Sequence, residues 1–341
     1  MSTPANRPSH SPSNAPIVPM RAAHVRRARG IWLPATLIGV SALVYAAAAI
    51  YTGQLAQLSF NGVMGLLQRM VALGLVAIGQ NFVILAGSID LSVANLISVC
   101  AVIASYVMQG DAHAMFYGVV ATLVLAALVG VINGLLVTRL SVSPLIATLG
   151  VGMVLQGILS VAFTNLRGAV PKSFQVIAYG NIAQIPFAVL LLAVALGVAG
   201  FVLTRTVSGA RLYTVGGNAN SARLAGIRTG RVIVGAHVIG SLMAGVGGLY
   251  LASWLGAGTP WVGRDGGYGL DSIAVVVIGG TLLAGGRGGV AGTIAGVFVF
   301  ATLDAVFNML QIDAFLSQVL RGAIVILSVG AYTFRSKGHI A

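Results

Sequence analysis

Residues 113–136 read HAMFYGVVATLVLAALVGVINGLL, a run that contains no Asp, Glu, Lys or Arg. An apolar stretch of about 20 residues is long enough to cross the hydrocarbon core of a bilayer as an α-helix. Similar runs recur along the chain, in which 57% of the residues are hydrophobic and only 7% are charged. Because soluble domains carry about 25% charged residues, we predict an all-α polytopic membrane protein.

The apolar runs predict about ten transmembrane helices. They lie at residues 31–51, 61–85, 90–109, 113–136, 142–164, 184–204, 232–254, 271–286, 289–310 and 315–333. The run at 271–286 is short and is followed by the sequence GGRGG at 285–289. This favours a re-entrant or discontinuous segment, because small residues allow membrane helices to break around a cavity.

Arginine placement predicts the orientation. The net charge of +13 would suggest a nucleic-acid partner in a soluble protein, but in a membrane protein Lys and Arg collect in cytoplasmic loops. If the N-terminus is cytoplasmic, that side of the membrane holds most of the arginines, among them Arg139, Arg205 and Arg287. We therefore expect both termini in the cytoplasm and no nucleic-acid partner.

The composition divides the chain into three regions. Residues 1–30 are rich in Ser, Pro, Asn and Arg and predict a disordered basic cytoplasmic tail. Residues 31–335 form the predicted membrane domain, in which 205–231 is a basic cytoplasmic loop, and 336–341 is a short cytoplasmic tail. The first apolar run exceeds the 7–15 residues, roughly, that are typical of a signal peptide, so we expect an uncleaved first helix.

Two glycine-containing breaks resemble each other. Residues 86–94 read AGSIDLSVA and residues 284–292 read AGGRGGVAG, and each precedes a helix rich in small residues. Transporters are often built from two related repeats with broken helices around a central cavity. We therefore expect two related helical repeats.

The residues needed for bond chemistry are scarce. The phosphate-binding motif G-x-x-x-x-G-K-[ST] is absent, and neither Lys172 nor Lys337 follows a glycine. The chain has no Glu and one cysteine, Cys100, and its histidines do not form a metal-binding spacing. His237 lies within a span and is interpreted as a packed or hydrogen-bonded side chain. We expect no catalytic residues, no metal and no cofactor, and a membrane enzyme finds little support.

Five ionisable residues fall inside the predicted spans, where charge is costly. They are Arg69, Asp90, Asp271, Asp304 and Arg321. Asp90 and Asp271 each open a helical segment, so they could be N-caps, line a translocation cavity, or do both. Arg321 is a candidate partner of Asp304 or Asp271 across a helix interface.

The cytoplasmic loop contains a pattern typical of a short helix. Residues 213–227 read YTVGGNANSARLAGI, in which Asn218, Asn220 or Ser221 could cap a helix that ends at Gly226. Such a helix could dock into a groove of a partner protein. It could equally rest on lipid headgroups, to which its arginine is attracted. The pattern alone leaves both interpretations open.

Three motifs in this order resemble those of the ribose-type ABC permeases. The sequence GSIDLSV at 87–93 is similar to the family motif G-G-I-D-L-S-V-G, and residues 217–227 are similar to G-x-N-x-x-A-A-x-x-x-G-I. The third similarity runs from Ile278 to Thr293, and the likeness covers residues 31–335. Ser88, Ala94 and Arg223 depart from the usual residues, which leaves the substrate open.

The resemblance implies a bacterial inner-membrane permease for a monosaccharide such as ribose, xylose or galactose. It also implies ATP-binding subunits, a periplasmic solute-binding protein and a second permease copy or paralogue. The implied ATPase-coupling residues are Asn218, Ser221, Ala222, Arg223, Leu224, Gly226 and Ile227. The polar residues that we expect along the substrate pathway are Asn81, Asp90, Ser92, Asn95 and Asp271.

Two other transport classes are weighed against this interpretation. A secondary transporter driven by H⁺ or Na⁺ needs embedded titratable groups near the midplane, and Asp90 is the one good candidate. A passive channel does not need the structured basic loop.

Overall fold

The computed structural model describes residues 29–163 and 168–337. The helices in these ranges are α1 (Arg29–Tyr51), α2 (Phe60–Leu85), α3 (Val93–Met108), α4 (Met115–Thr138), α5 (Pro144–Ala162), α6 (Val176–Tyr179), α7 (Phe187–Arg205), α8 (Val207–Gly217), α9 (Ala219–Leu224), α10 (Thr229–Leu255), α11 (Val262–Asp265), α12 (Tyr268–Ile278), α13 (Val290–Met309) and α14 (Ala314–Lys337). The predicted tails, 1–30 and 336–341, lie mostly outside the described residues.

The remaining regular structure is short. Single 3-10 turns at Leu55–Leu58 and Ala112–Ala114 precede α2 and α4. A small antiparallel ladder pairs β1 (Asn181–Ile182) with β2 (Ile185–Pro186), with Asn181 opposite Pro186. The prediction of an all-α polytopic protein is confirmed.

Seven of the described helices are long and apolar enough to cross a membrane. They are α1, α2, α4, α5, α7, α10 and α13. Each coincides with a predicted span, whereas the total of ten crossings stays a prediction. The span predicted at 90–109 corresponds to α3, which has 16 residues, and the one predicted at 315–333 lies within α14.

The segment predicted at 271–286 is discontinuous. Its helix, α12, has 11 residues and ends at Ile278, which gives a length of about 17 Å. This is close to half the thickness of a bilayer core, about 30 Å. Beyond it, Gly280, Gly285 and Gly286 adopt positive φ angles, a conformation that favours glycine and prevents the helix from continuing to residue 286.

A second irregular segment precedes α12. Residues 256–267 run along α3 in the opposite direction, from its C-terminal half towards its start. A Cβ added to Gly258 would overlap Val102 and Ser105. Further along the segment, the Gly263 N–H donates to Ser98 Oγ at 2.8 Å. These residues lie between the spans predicted at 232–254 and 271–286.

Helix α10 forms the centre of the bundle, where it packs against α2, α3 and α4. Glycines allow the backbones to approach closely: a Cβ on Gly79 would lie 2.8 Å from the Gly240 carbonyl oxygen, and one on Gly130 would lie 2.7 Å from Val238 Cα. Close approach through small residues is the usual way in which membrane helices associate. This packing places the start of α3 beside α4 and α10.

Candidate translocation and coupling site

Three segments of the chain meet through glycines. The Gly286 N–H donates to the Leu85 carbonyl oxygen at 3.0 Å. A Cβ on Gly216 would overlap that same oxygen, and one on Gly285 would lie 2.8 Å from the backbone nitrogen of Gly87. We call the contact between residues 85–87, 216–217 and 285–286 the glycine junction. It brings the two resembling breaks, 86–94 and 284–292, together, whereas the proposed repeat stays a prediction.

The polar side chains that follow the first break form a buried cluster. Asp90 is fully buried, and its Oδ1 accepts from the Ser92 N–H at 2.8 Å and from Ser92 Oγ at 2.6 Å. Asn133 on α4 donates to Asp90 Oδ2 at 3.3 Å and to Ser92 Oγ at 2.8 Å. The carboxyl group therefore ties the start of α3 to α4.

His237 completes this group on the side of α10. Its Nε2 lies 2.9 Å from Ser88 Oγ, and its Nδ1 faces Asp90 Oδ2 at 3.6 Å. The interpretation of His237 as a hydrogen-bonded side chain is confirmed. We call Ser88, Asp90, Ser92, Asn133 and His237 the Asp90 cluster.

The interpretation of Asp90 as an N-cap is wrong. Helix α3 begins at Val93, and Ser92 occupies its N-cap position. Asp90 lies two residues earlier, in the non-helical turn, where its side chain accepts hydrogen bonds from Ser92. Asp271 is not a cap either, because it lies within α12, whose N-cap position is held by Gly267.

The remaining predicted pathway residues lie at separate places. Asn81 is buried on α2 and accepts from Thr281 Oγ1 at 2.9 Å, which links α2 to the turn after α12. Asn95 is partly buried on α3 and donates to the Gly152 carbonyl oxygen on α5 at 2.9 Å. Asn81 and Asn95 thus make separate contacts between different segments of the bundle.

A cluster of charged residues surrounds a cavity near the start of α14. Arg321 pairs with Asp304 at 2.8 Å and with Asp271 at 3.5 Å, so the predicted pairing of Arg321 is confirmed for both partners. Asp304, Arg321, Arg69 and Asp265 line a cavity of about 490 Å³. We call it the charged cavity.

The predicted coupling segment forms a rigid helix. Asn218 is its N-cap, and the side-chain Oδ1 accepts from the Ser221 N–H at 2.9 Å. At its other end Gly226 has a φ of +80°, its N–H donates to the Arg223 carbonyl, and the Ile227 N–H donates to the Ala222 carbonyl. These two bonds define a Schellman motif, which confirms a short capped helix ending at Gly226.

The coupling segment has one inward and one outward side. Ala222 is completely buried, whereas the side chain of Leu224 is 91% exposed. Behind α9, Tyr213 on α8 donates from its hydroxyl to the Gly288 carbonyl oxygen at 2.9 Å, and burial raises the pKa of Tyr213. The upward direction of this pKa change agrees with a hydroxyl that donates in this contact.

A family model described as "Branched-chain amino acid transport system / permease component" matches residues 62–329. The chain belongs to this family. The permease is 33% identical over 280 residues to the ribose import permease protein RbsC of Bacillus subtilis (strain 168). This alignment covers 78% of this chain and 83% of that protein.

Two Escherichia coli (strain K12) proteins are similar to the permease. The L-arabinose transport system permease protein AraH is 31% identical over 300 residues, covering 88% of this chain and 90% of its own length. The xylose transport system permease protein XylH is 32% identical, covering 80% of this chain and 85% of its own. No solved structure matches the permease.

The sequence did not reveal Asn133 as a member of the Asp90 cluster. The available signal was a single amide in the apolar run 113–136, since an isolated polar group inside a span needs a partner. The partner could not be named from the sequence, because Asn133 lies on α4 and Asp90 lies in the turn before α3, and only the packing of α3 on α4 brings them together.

Proposed function

We propose that the permease is the membrane-spanning subunit of an ATP-driven importer that carries a monosaccharide, such as ribose, xylose or galactose, across a bacterial inner membrane. Separate ATP-binding subunits supply the energy, and a periplasmic solute-binding protein delivers the sugar. A second permease copy or a paralogue completes the pathway. Both termini lie in the cytoplasm. The relatives are named as ribose, arabinose and xylose permeases, and these names support a monosaccharide as the substrate.

The observation that carries the proposal is the geometry of α9. The side chain of Leu224 is 91% exposed. The Asn218 cap and the Schellman motif fix the helix at both ends, so this apolar side chain projects from the surface in one orientation. Leaving Leu224 in water forgoes about 2 kcal/mol of burial free energy. Docking into a groove of an ATP-binding subunit recovers this free energy.

The contacts behind α9 suggest how its displacement would reach the membrane. Helix α9 follows directly on α8, which touches the turn after α12 through the Tyr213 hydroxyl and the end of α2 through Gly216. A movement imposed on α9 would therefore act on both breaks at the glycine junction. We propose that this movement opens the pathway alternately to the two sides of the membrane.

Within the pathway we assign Asn81, Asp90, Ser92, Asn95 and Asp271. Asn95 and Asp271 are partly exposed. Asn81, Asp90 and Ser92 are completely buried, so a sugar would reach these three only when the helices around the breaks move apart. Asn95→Leu replaces the amide, which donates to the Gly152 carbonyl oxygen, by an apolar side chain with the same number of heavy atoms. We expect sugar uptake to fall at equal membrane abundance, and unchanged uptake would remove Asn95 from the pathway.

The coupling role is tested by co-purification of the full-length permease with a co-expressed candidate ATP-binding protein. Leu224→Asp and Gly226→Trp should lose that protein, while Leu140→Asp is the matched control. Leu140 is 68% exposed and lies in the connection between α4 and α5, outside the coupling segment. Equal retention by Leu224→Asp and by wild type would place the docking site elsewhere.

The substrate is tested by uptake in cells that lack their own carriers. Labelled ribose, xylose and galactose are compared with labelled leucine and valine, because the family description names branched-chain amino acids. That second candidate is favoured also by the charged cavity, in which Arg321 and Asp304 could bind the two charges of an amino acid. Uptake of leucine without uptake of any sugar would overturn the monosaccharide proposal.

A further inference from the structure

A cleft opens between α7, α8 and the first turns of α10, on the same side of the molecule as the coupling segment. Its volume is about 590 Å³. Arg211, Arg228 and Arg231 line it together with apolar residues and with Gly226 and Ile227 of the coupling segment, and we call it the basic cleft. All three arginines are exposed.

The positive charge of the basic cleft is not balanced within the chain. The chain has six aspartates and no glutamate, and none of the six lines this cleft. None of the three arginines forms an ion pair with any residue in 29–163 or 168–337, and the ion pairs of this part of the chain lie around Asp90, Asp265 and Arg321. An anionic group of another molecule can therefore bind there without displacing an ion pair of the described residues.

The walls of the basic cleft are apolar and extend into the bundle. Phe82 on α2, Val202 on α7 and Ile239 on α10 belong to the lining. Ile239 lies eight residues beyond Arg231 on α10, which corresponds to about 12 Å along the helix. The mouth is thus cationic and the interior suits hydrocarbon.

The basic cleft borders a surface that faces the bilayer. Helix α7, which forms one wall, exposes Val198 by 58% and Phe201 by 61% on its outer side. Apolar side chains so exposed on a spanning helix are in contact with acyl chains. A lipid could enter the cleft from the membrane without passing through water.

We propose that the basic cleft binds an anionic glycerophospholipid, with the phosphodiester at the three arginines and an acyl chain between α7 and α10. Arg groups bind phosphate oxygens with charge-assisted hydrogen bonds, and basic pockets between membrane helices at the cytoplasmic face recognise such headgroups. An acidic segment of a protein partner would neutralise the arginines but would not fill the apolar interior. The inference does not depend on what the permease carries.

The test measures binding of labelled phosphatidylglycerol to the full-length permease purified in a mild detergent, with phosphatidylcholine as the neutral comparison. We expect phosphatidylglycerol to bind more tightly. Arg211→Gln and Arg231→Gln should each weaken its binding about fivefold. Arg205→Gln is the matched control, because Arg205 ends α7 on the same side but does not line the cleft.

A second variant tests the apolar part independently of charge. Gly235 lines the basic cleft, and a Cβ there would meet no atom within 4 Å, so Gly235→Leu starts a side chain in open space of the cleft. We expect about fourfold weaker binding for each methylene kept out of the cleft. Gly150→Leu on α5, where a side chain is equally free of neighbours, should bind as wild type does.

Four outcomes would overturn the proposal. Equal affinity for phosphatidylglycerol and phosphatidylcholine would show that the arginines do not recognise the headgroup. An equal loss of binding in Arg205→Gln would show that the lipid is attracted by the general positive charge of this surface. Glycerophosphoglycerol, which has the headgroup without acyl chains, would identify a simple anion site if it competed as well as the lipid. Displacement of bound lipid by the ATP-binding protein would assign the cleft to the protein partner instead.

Discussion

The Asp90 cluster and the charged cavity place aspartates in two different surroundings. Asp90 is completely buried and is held by donors from its own turn and from α4. Arg321 and Asp304 have side chains that are 28% and 46% exposed and border an open cavity. The comparison teaches that an ionisable residue inside a membrane bundle ties helices together where it is enclosed, and remains available to water and solutes where it is not.

The largest effect is expected for Asp90→Ala. This change leaves the N–H and hydroxyl of Ser92 and one N–H of Asn133 without their carboxylate acceptor, and each unsatisfied buried donor costs about 1–3 kcal/mol. Thermal unfolding in detergent should show a correspondingly large fall in the midpoint. Asp90→Asn keeps an acceptor oxygen and should lose less, and if both variants unfolded like wild type, the cluster would have no stabilising role.

A smaller loss of stability is expected at the glycine junction. This prediction tests whether the segments next to the Asp90 cluster are tightly packed. Gly216→Ala forces a methyl group onto the Leu85 carbonyl oxygen, and overpacking of this kind costs about 1–3 kcal/mol. The neighbouring Gly217→Ala is the control, because a Cβ there has no neighbour within 4 Å. Equal unfolding midpoints for the two variants would mean that the junction is loose.

The smallest effect is expected for Arg321→Gln in the charged cavity. Because the ion pairs are partly solvated, the loss of stability should be about 1 kcal/mol, and it should shrink at high salt since exposed charges are screened. Unfolding at low and high salt measures both quantities. A loss as large as that of Asp90→Ala, independent of salt, would erase the difference between the two regions.

The sequence predicted features that depend on neighbouring residues. The long apolar helices, the Asn218 cap and the Gly226 ending follow from local patterns, and the pairing of Arg321 follows from the need of a buried charge for a partner. Local patterns do not show which distant residues meet. The contacts of Asp90 with Asn133 and His237, and the course of residues 256–267 along α3, arise from packing between helices and remained hidden.

The segment formed by residues 256–267 and α12 also has a consequence for how the chain enters the membrane. Its helix is too short to be inserted as an independent span, so the groove beside α3 must exist before residues 256–278 can settle into it. We therefore expect residues 256–278 to take up their position late, after the preceding helices have been inserted. In Gly258→Val, whose side chain would lie 2.8 Å from the Ala101 carbonyl oxygen, we expect the helices before residue 256 to insert normally while residues 256–278 become open to added protease.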